Sequence, residues 1–308
     1  MVHAWRIVVA DGMTDDALAR LRQQAEVVEA GVEAAAGADA LIVRGRSRVT
    51  AEVLAAGRPR LRVVGRAGVG VDNIDLEAAR RLDVVVVHAP LAATISVAEH
   101  TLALMLALVR HVPAADAGLR RGEWGKAGLE GRELFGKTLG LVGFGRVGRA
   151  VGQRAAALGM RLLAFDPLLP ADAIRQAGAQ PVDLDTLLAE SDVVSVHVPL
   201  EASTRHLLGA AELGRMRPGA QLIHTSRGGI VDEEALLHSL EAGRLAGAAL
   251  DVFETEPPGR TGLIAHPAVV VTPHIAAQTA EAQARASADI AAEVLAALRG
   301  DPLRWRVA

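Results

Sequence analysis

Short apolar runs rich in Val, Leu, Ile and Ala, bounded by Gly, Asp or Pro, recur along the chain at residues 6–10, 40–43, 61–64, 84–87, 139–142, 162–165, 193–196, 221–224, 248–250 and 269–271. Runs of this length predict buried strands. Between them apolar positions fall at helical spacing, as do Val147, Ala150, Val151, Ala155 and Leu158 over 147–158. Thr50-Ala51-Glu52-Val53 and Asp75-Leu76-Glu77 read as capped helix starts. Strands alternating with helices predict an α/β protein with parallel, doubly wound sheets. The alternation occurs twice, before about residue 90 and after residue 136. A long helical stretch over 96–119, ending near Gly122, joins the two, and an Ala-rich helix over 280–298 follows the last strand.

Composition narrows the function. With 308 residues, 51% of them hydrophobic, the chain can bury two domain cores. A net charge of -3 supplies no global field to recruit nucleic acid or an anionic membrane. The most apolar stretch, 102–109, falls far short of the roughly 20 residues a membrane span needs. The start, Met1 to Arg6, is too short and polar for a signal peptide. The absence of Cys excludes disulfides, thiolate metal sites and a Cys nucleophile; it fits a reducing compartment, with the cytoplasm as the default, and no metal site is expected.

One Gly-rich turn has the context that gives such a turn meaning. Gly143-Phe144-Gly145-Arg146-Val147-Gly148 lies between the strand at 139–142 and the helix at 147–158. Gly143 would permit the tight bend, Gly145 the approach of a pyrophosphate, and Gly148 close packing of helix on strand, while the helix start offers free N–H groups to phosphates. Arg146 could add a charged contact. The next strand ends in Asp166, whose carboxylate would accept from ribose hydroxyls and repel a 2'-phosphate, so NAD is expected over NADP. The plain alternative is an ordinary Gly turn with Asp166 as a surface acid.

Farther along stand a base, an acid and a cation. His274 follows the apolar run at 269–271, at the carboxyl end of a strand, where open α/β sheets bind ligands. Glu256, followed by Pro257-Pro258, could select the tautomer of an imidazole and stabilise its cation. Arg227, after the run at 221–224, could grip a substrate carboxylate in bidentate fashion. Taken singly, each has a bland reading: a strand-end histidine, a solvated loop acid beside Glu254, a surface arginine on a Gly loop. Together they outline proton transfer on an anionic substrate.

Six segments in order carry a resemblance over nearly the whole chain: Gly65-Arg66-Ala67-Gly68-Val69-Gly70-Val71-Asp72-Asn73-Ile74-Asp75, Gly143 to Gly148, His197-Val198-Pro199-Leu200, Ser226-Arg227-Gly228-Gly229-Ile230-Val231-Asp232-Glu233, Asp251 to Pro258, and Pro273-His274-Ile275. In these the chain resembles the D-isomer-specific 2-hydroxyacid dehydrogenases, most closely their phosphoglycerate-oxidising branch. The resemblance implies a dinucleotide-binding Rossmann domain, residues 97–280, inserted in a flavodoxin-like substrate domain made of 1–96 and 281–308. It implies NAD as cofactor, His274 as acid/base, Glu256 as its partner and Arg227 as the substrate's anchor. By the same resemblance Asp251 would contact the nicotinamide carboxamide, Thr94, Val147, His197, Val198, Pro199, Thr225, Ser226, His274 and Ala276 would line the cofactor groove, and Val69 and Gly70 would offer N–H groups to the substrate carboxylate. A homodimer or dimer of dimers through the connector is expected, its Leu102, Leu104, Met105, Leu106 and Leu108 exceeding what one face needs, with simple burial between the two domains as the alternative. Trp124 would either reach a neighbouring cleft or pack in the core.

The substrate branch rests on cations. Oxidation of 3-phosphoglycerate to 3-phosphohydroxypyruvate, a step of serine biosynthesis, needs positive charge beyond Arg227 for a phosphate of about two negative charges. Arg44, Arg46 and Arg66 stand at strand ends of the first unit, with Arg48 read as surface. Against this, where that loop usually carries polar Asn and Ser, Pro90-Leu91-Ala92-Ala93-Thr94-Ile95-Ser96 retains Thr94 but loses the amide at Ala93, and His88 replaces a common Asn. The alternatives are a glyoxylate or hydroxypyruvate reductase and, in another class, an NADH-sensing corepressor-like protein. Formate dehydrogenases are disfavoured, since they carry Gln in place of Glu256. Regulatory domains found in longer phosphoglycerate dehydrogenases are not seen in these residues, so feedback inhibition by serine through such a domain is expected to be missing.

Overall fold

The computed structural model describes residues 5–308. Most of the leader judged too short and polar for a signal peptide, residues 1–4, lies outside the described residues. Contacts divide the chain into two compact units, Met1–Ala93 with Ala277–Ala308, and Thr94–Ala276.

The first unit is a five-stranded sheet of β1 (Trp5–Val9), β2 (Ala25–Glu29), β3 (Ala40–Val43), β4 (Val63–Arg66) and β5 (Val85–His88), all parallel, in the order β2-β1-β3-β4-β5. That is the flavodoxin-like order. The strand expected at 61–64 runs two residues later because its ladder to β3 starts at Val63, opposite Ala40, while Leu61 is buried beneath the turn after helix Ala51–Gly57. Strand β2 was not expected at all. It is an edge strand, and its Glu26 and Glu29 break the apolar pattern by facing solvent. The final helix, Ala280–Arg299, packs on this sheet so closely that a Cβ at Gly65 would lie 2.6 Å from Val294 and 2.9 Å from Ile290.

The second unit is a seven-stranded parallel sheet: β6 (Thr138–Val142), β7 (Arg161–Phe165), β8 (Gln180–Pro181), β9 (Val193–Val196), β10 (Gln221–His224), β11 (Gly247–Leu250) and β12 (Val269–Val271), in the order β12-β11-β10-β9-β6-β7-β8. Strand order reverses between β6 and β9, and the crevice at the carboxyl ends beside such a switch point is where doubly wound sheets bind ligands. Strand β8 is too short for a periodicity to register. Apolar residues cover both faces: Leu187, Val194, Leu222 and Leu236 on one, Leu139, Leu141, Val151 and Ile223 on the other.

The continuous helix expected over 96–119 is instead two, Thr94–Val109 and Val112–Arg120, bent by 64°. His111 sits in the left-handed region (φ 53) and Pro113 occupies the first turn of the second helix, where its missing N–H costs nothing but which ends the preceding one. Leu104, Met105 and Leu108 are buried, whereas Leu106 is 41% exposed. Trp124 is 85% exposed, which removes the core-packing alternative. Among the described residues no single helix is long and apolar enough to cross a membrane.

Candidate active site

In the second unit, residues after three strands, β10, β11 and β12, converge. Asp251 follows β11 and is wholly buried. Its Oδ1 accepts from the Thr272 hydroxyl at 2.6 Å and the Ile275 N–H at 2.8 Å, and its Oδ2 from the Ala276 N–H at 2.8 Å. The His100 Nε2 stands 3.5 Å from Oδ1 and 3.0 Å from the Thr272 hydroxyl. Burial pushes the Asp251 carboxyl up, but the hydrogen bonds from His100, Thr272, Ile275 and Ala276 outweigh it and hold the group below the usual carboxylate range. The whole turn after β12 is thus tied to one buried anion. His274 completes it: its backbone N–H donates to the Asp251 carbonyl at 2.9 Å, and its φ of 53 turns the chain there.

The His274 Nδ1 lies 2.7 Å from Glu256 Oε2. An ionised carboxylate can only accept, so Nδ1 carries the proton and Nε2 is left as the basic nitrogen. The Glu256 Oε1 accepts from the Phe253 N–H at 3.1 Å. Partial burial works against the Glu256 charge, yet the hydrogen bond and charge of His274, the Phe253 N–H and the positive charge of Arg227 lower its pKa overall. Both side chains remain accessible, at 45% and 37% exposure. Arg227 belongs to the same cluster, and its Nη1 donates to the Ser226 carbonyl at 2.7 Å. Gly228 explains how the Arg227 loop can lie against the Glu256 loop: a Cβ there would fall 1.7 Å from the Phe253 oxygen. The Glu256 loop is tied in turn to the start of helix Glu233–Glu241, Glu254 N–H donating to Glu233 at 2.6 Å and Glu233 N–H to Glu254 at 3.1 Å.

The dinucleotide turn shows three glycines with three different surroundings. Gly143 has φ 91, and a Cβ there would lie 2.8 Å from the His197 backbone and the Val198 side chain; at Gly148 it would meet the Gly143 oxygen at 2.2 Å. At Gly145 it would meet nothing within 4 Å, which leaves an open cradle at the N-terminus of helix Arg146–Ala157. Arg146 is exposed and Val147 half-buried beside it. Asp166 accepts from the Phe144 N–H at 2.9 Å and the Leu168 N–H at 3.0 Å, fixing the turn to the end of β7. These residues fit a dinucleotide. Thr225 exchanges a hydrogen bond with Thr101 at 2.9 Å, Ser226 with His224 at 3.3 Å, and His197 Nε2 with Ser195 at 2.8 Å. Thr94 opens its helix half-buried, Ala276 is buried at the Asp251 anchor, and Pro199 is exposed.

In the first unit Arg44, Arg46 and Arg66 come together at the carboxyl ends of the adjacent strands β3 and β4. Asp11, only 8% exposed, accepts from the Arg44 N–H at 2.7 Å, the Ser47 N–H at 3.1 Å and the Ser47 hydroxyl at 2.7 Å. The Asn73 amide donates to the Arg44 carbonyl at 2.8 Å and the Ser47 carbonyl at 2.6 Å, closing the loop from the other side. The Arg66 guanidinium covers Gly68, whose missing side chain makes room for it, and comes within 3.7 Å of where a Gly45 Cβ would stand. Arg46 is largely exposed and Arg48 is on the surface. Val69 is 40% exposed, its carbonyl accepting from the His88 ring at 2.7 Å, with Gly70 half-buried beside it. Ala93 is buried, and the neighbouring Ala92 carbonyl accepts from Arg285 at 2.9 Å.

Sequence reasoning passed over Asp11, His100, His224 and the steric demand at Gly228, and took in Asn73 only as part of a motif, with no role. Asp11 and His224 each sit where a strand gives way to a loop, a signal that could have found them. His100, inside a helix, carried none.

Comparison with known proteins places these features. Residues 102–276 match the model described as D-isomer specific 2-hydroxyacid dehydrogenase, NAD binding domain. The chain is 43% identical over 305 residues to D-3-phosphoglycerate dehydrogenase of Bacillus subtilis (strain 168), covering 97% of this chain and 58% of that one. It therefore spans about three fifths of the length of such curated relatives. A solved structure from Thermus thermophilus is 38% identical, covering 98% of this chain and 100% of its own, with a TM-score of 0.89. A glyoxylate reductase from Paecilomyes thermophila is 29% identical, covering 100% and 99%, also with a TM-score of 0.89.

Proposed function

The chain belongs to the D-isomer specific 2-hydroxyacid dehydrogenase family, carrying its NAD-binding domain, and we propose that it interconverts a D-2-hydroxy acid and its 2-keto acid, with 3-phosphoglycerate and 3-phosphohydroxypyruvate as the pair. The observation that carries this reading is the 2.7 Å contact between His274 and an ionised Glu256 in the same cluster as Arg227. NAD, when bound, would supply the acceptor for the hydride that leaves C2 of the hydroxy acid. The Nε2 of His274 accepts the hydroxyl proton, and Glu256 stabilises the imidazolium that results. Arg227 pairs with the substrate carboxylate and polarises the forming carbonyl. Gly143, Gly145 and Gly148 with the helix N-terminus would hold the pyrophosphate, and Asp166 would accept from the adenosine ribose, favouring NAD over NADP. Asp251 acts through the His274 segment it anchors. Val69 and Gly70 offer N–H groups to the carboxylate.

The phosphate assignment rests on Arg44, Arg46 and Arg66, a cation cluster that a glyoxylate reductase has no need of. It is supported by the names of relatives such as the Bacillus subtilis protein. We also propose a cytoplasmic homodimer. The exposed apolar side chains of Leu106, Leu119, Trp124 and Phe135 on the second unit support the dimer.

A steady-state panel of 2-keto acids with NADH and NADPH tests the proposal. Phosphohydroxypyruvate with NADH is expected to give the highest kcat/KM, and His274→Ala to lower kcat by about 10²- to 10⁴-fold while NADH still binds. Tight NADH binding with no turnover of any 2-keto acid would remove the enzymatic reading in favour of a sensor. Equal loss on phosphorylated substrate and hydroxypyruvate in Arg66→Ala would move the substrate to an unphosphorylated acid.

A further inference from the structure

His224 is the last residue of β10, buried to 3% exposure, and it stands directly beneath the loop that carries Arg227. Its Nε2 lies 2.8 Å from the Arg227 carbonyl oxygen. A carbonyl can only accept, so Nε2 holds the ring proton, and Nδ1 is left to accept from the Ser226 hydroxyl at 3.3 Å. Each ring nitrogen therefore has a partner on one of the two residues that follow Thr225. Burial keeps the ring neutral, which the tautomer requires; its pKa is lowered to about 4.

The other side of that loop is also fixed. Gly228 rests against the Phe253 carbonyl and the Glu254 N–H with no room for a side chain, and the guanidinium is tied back to the Ser226 oxygen. Between the strand end and the Phe253 backbone, the His224 ring is the side chain that holds the Arg227 carbonyl. An arginine side chain has a long, flexible stem, so its aim depends on where its own backbone is pinned.

We propose that His224 is a positioning residue for Arg227, setting through the Arg227 carbonyl the direction in which the guanidinium meets an anionic substrate. This rests on the reading of Arg227 as the carboxylate anchor. His224 does not touch substrate or cofactor and takes no part in proton transfer. Its removal weakens substrate binding; toward the cofactor groove it costs only the 3.3 Å bond from the Ser226 hydroxyl, so cofactor binding changes less.

The test compares full-length variants. His224→Leu fills the space but cannot donate; it is expected to raise KM for the preferred 2-keto acid about tenfold or more, with NADH affinity by fluorescence titration changed less than about twofold. His224→Gln, whose amide can reach the Nε2 position, restores most of the loss. In an Arg227→Ala background His224→Leu adds nothing, because a residue that acts only through Arg227 has nothing left to aim. His224→Met, nearer in length, repeats the comparison if the leucine variant folds poorly. An unchanged KM, a parallel loss of NADH affinity, or full additivity with Arg227→Ala overturns the proposal. Oxalate binding to the NADH complex, read by nicotinamide fluorescence, makes the same comparison without turnover. A wild-type chain that binds oxalate through Arg227 but reduces no 2-keto acid sinks the proposed reaction and leaves the role of His224 standing.

Discussion

In the seven-stranded unit the reactive side chains are held by buried groups directly beneath them: Asp251 under His274, His224 under Arg227, and the Phe253 backbone against Gly228. In the five-stranded unit Arg44 and Arg46 ride on a loop pinned at its backbone, by Asp11 from one side and Asn73 from the other, while Arg66 ends β4, and Arg46 itself stays exposed. The difference follows from chemistry. On the proposed reading, a proton acceptor must be placed to within a few tenths of an ångström, whereas a phosphate offers several oxygens that long arginine side chains can reach from more than one position. The first unit therefore needs a stable loop, and the second needs a stable side chain.

The comparison can be broken most sharply at Gly228. An added methyl in Gly228→Ala collides with the Phe253 carbonyl, and the two loops must part. We expect a fall in thermal midpoint of roughly 5–10 °C with near-complete loss of turnover. A variant that keeps its midpoint would show that the loops tolerate separation. In the first unit Asn73→Ala leaves the Arg44 and Ser47 carbonyls without their shared donor, a cost of about 1–3 kcal/mol. There KM for a phosphorylated substrate should rise about tenfold with kcat held within about twofold; a large fall in kcat would mean that this loop, too, sets the chemistry.

The smallest effect is one of pH. His197 and His224 are pushed down to about 3 and about 4 by burial, below the 6.5 of an unfolded histidine. Between those values the unfolded chain binds the extra protons, so the stability these two contribute is whole above about pH 6.5 and lost as pH falls toward 4. Amide exchange of the full chain at pH 7 and pH 5, corrected for intrinsic rates, should show protection falling more at Val193–Val196 and Gln221–His224 than at Ala40–Val43. Equal loss in both units would leave the comparison without an electrostatic basis.

Much of the fold was legible because parallel strands buried on both faces are largely apolar, which makes β3 an unbroken apolar run and leaves β6, β9 and β10 dominated by Val, Leu and Ile around Gly140, Ser195 and the ends Gln221 and His224. The edge strand β2 and the two-residue β8 escaped, since neither is buried enough to carry that signature. The broken connector escaped for a different reason. Apolar periodicity continues through Arg110 and His111, and only Pro113 marks the bend. In the site, His274, Glu256 and Arg227 were legible as residue types at strand ends.

The sequence by itself determined the two alternating units and the Gly143 to Gly148 turn with its acid, and it singled out His274, Glu256 and Arg227 as candidate base, acid and cation, because each depends on local spacing or side-chain chemistry. Only the tertiary structure decided which nitrogen of His274 is basic, that Asp251 is an anchor for the segment beside it, and that His224 lies under Arg227. Those facts come from contacts between residues three to twenty-five positions apart, set by how loops from β10, β11 and β12 pack at one edge of a sheet. No pattern along the chain encodes that packing.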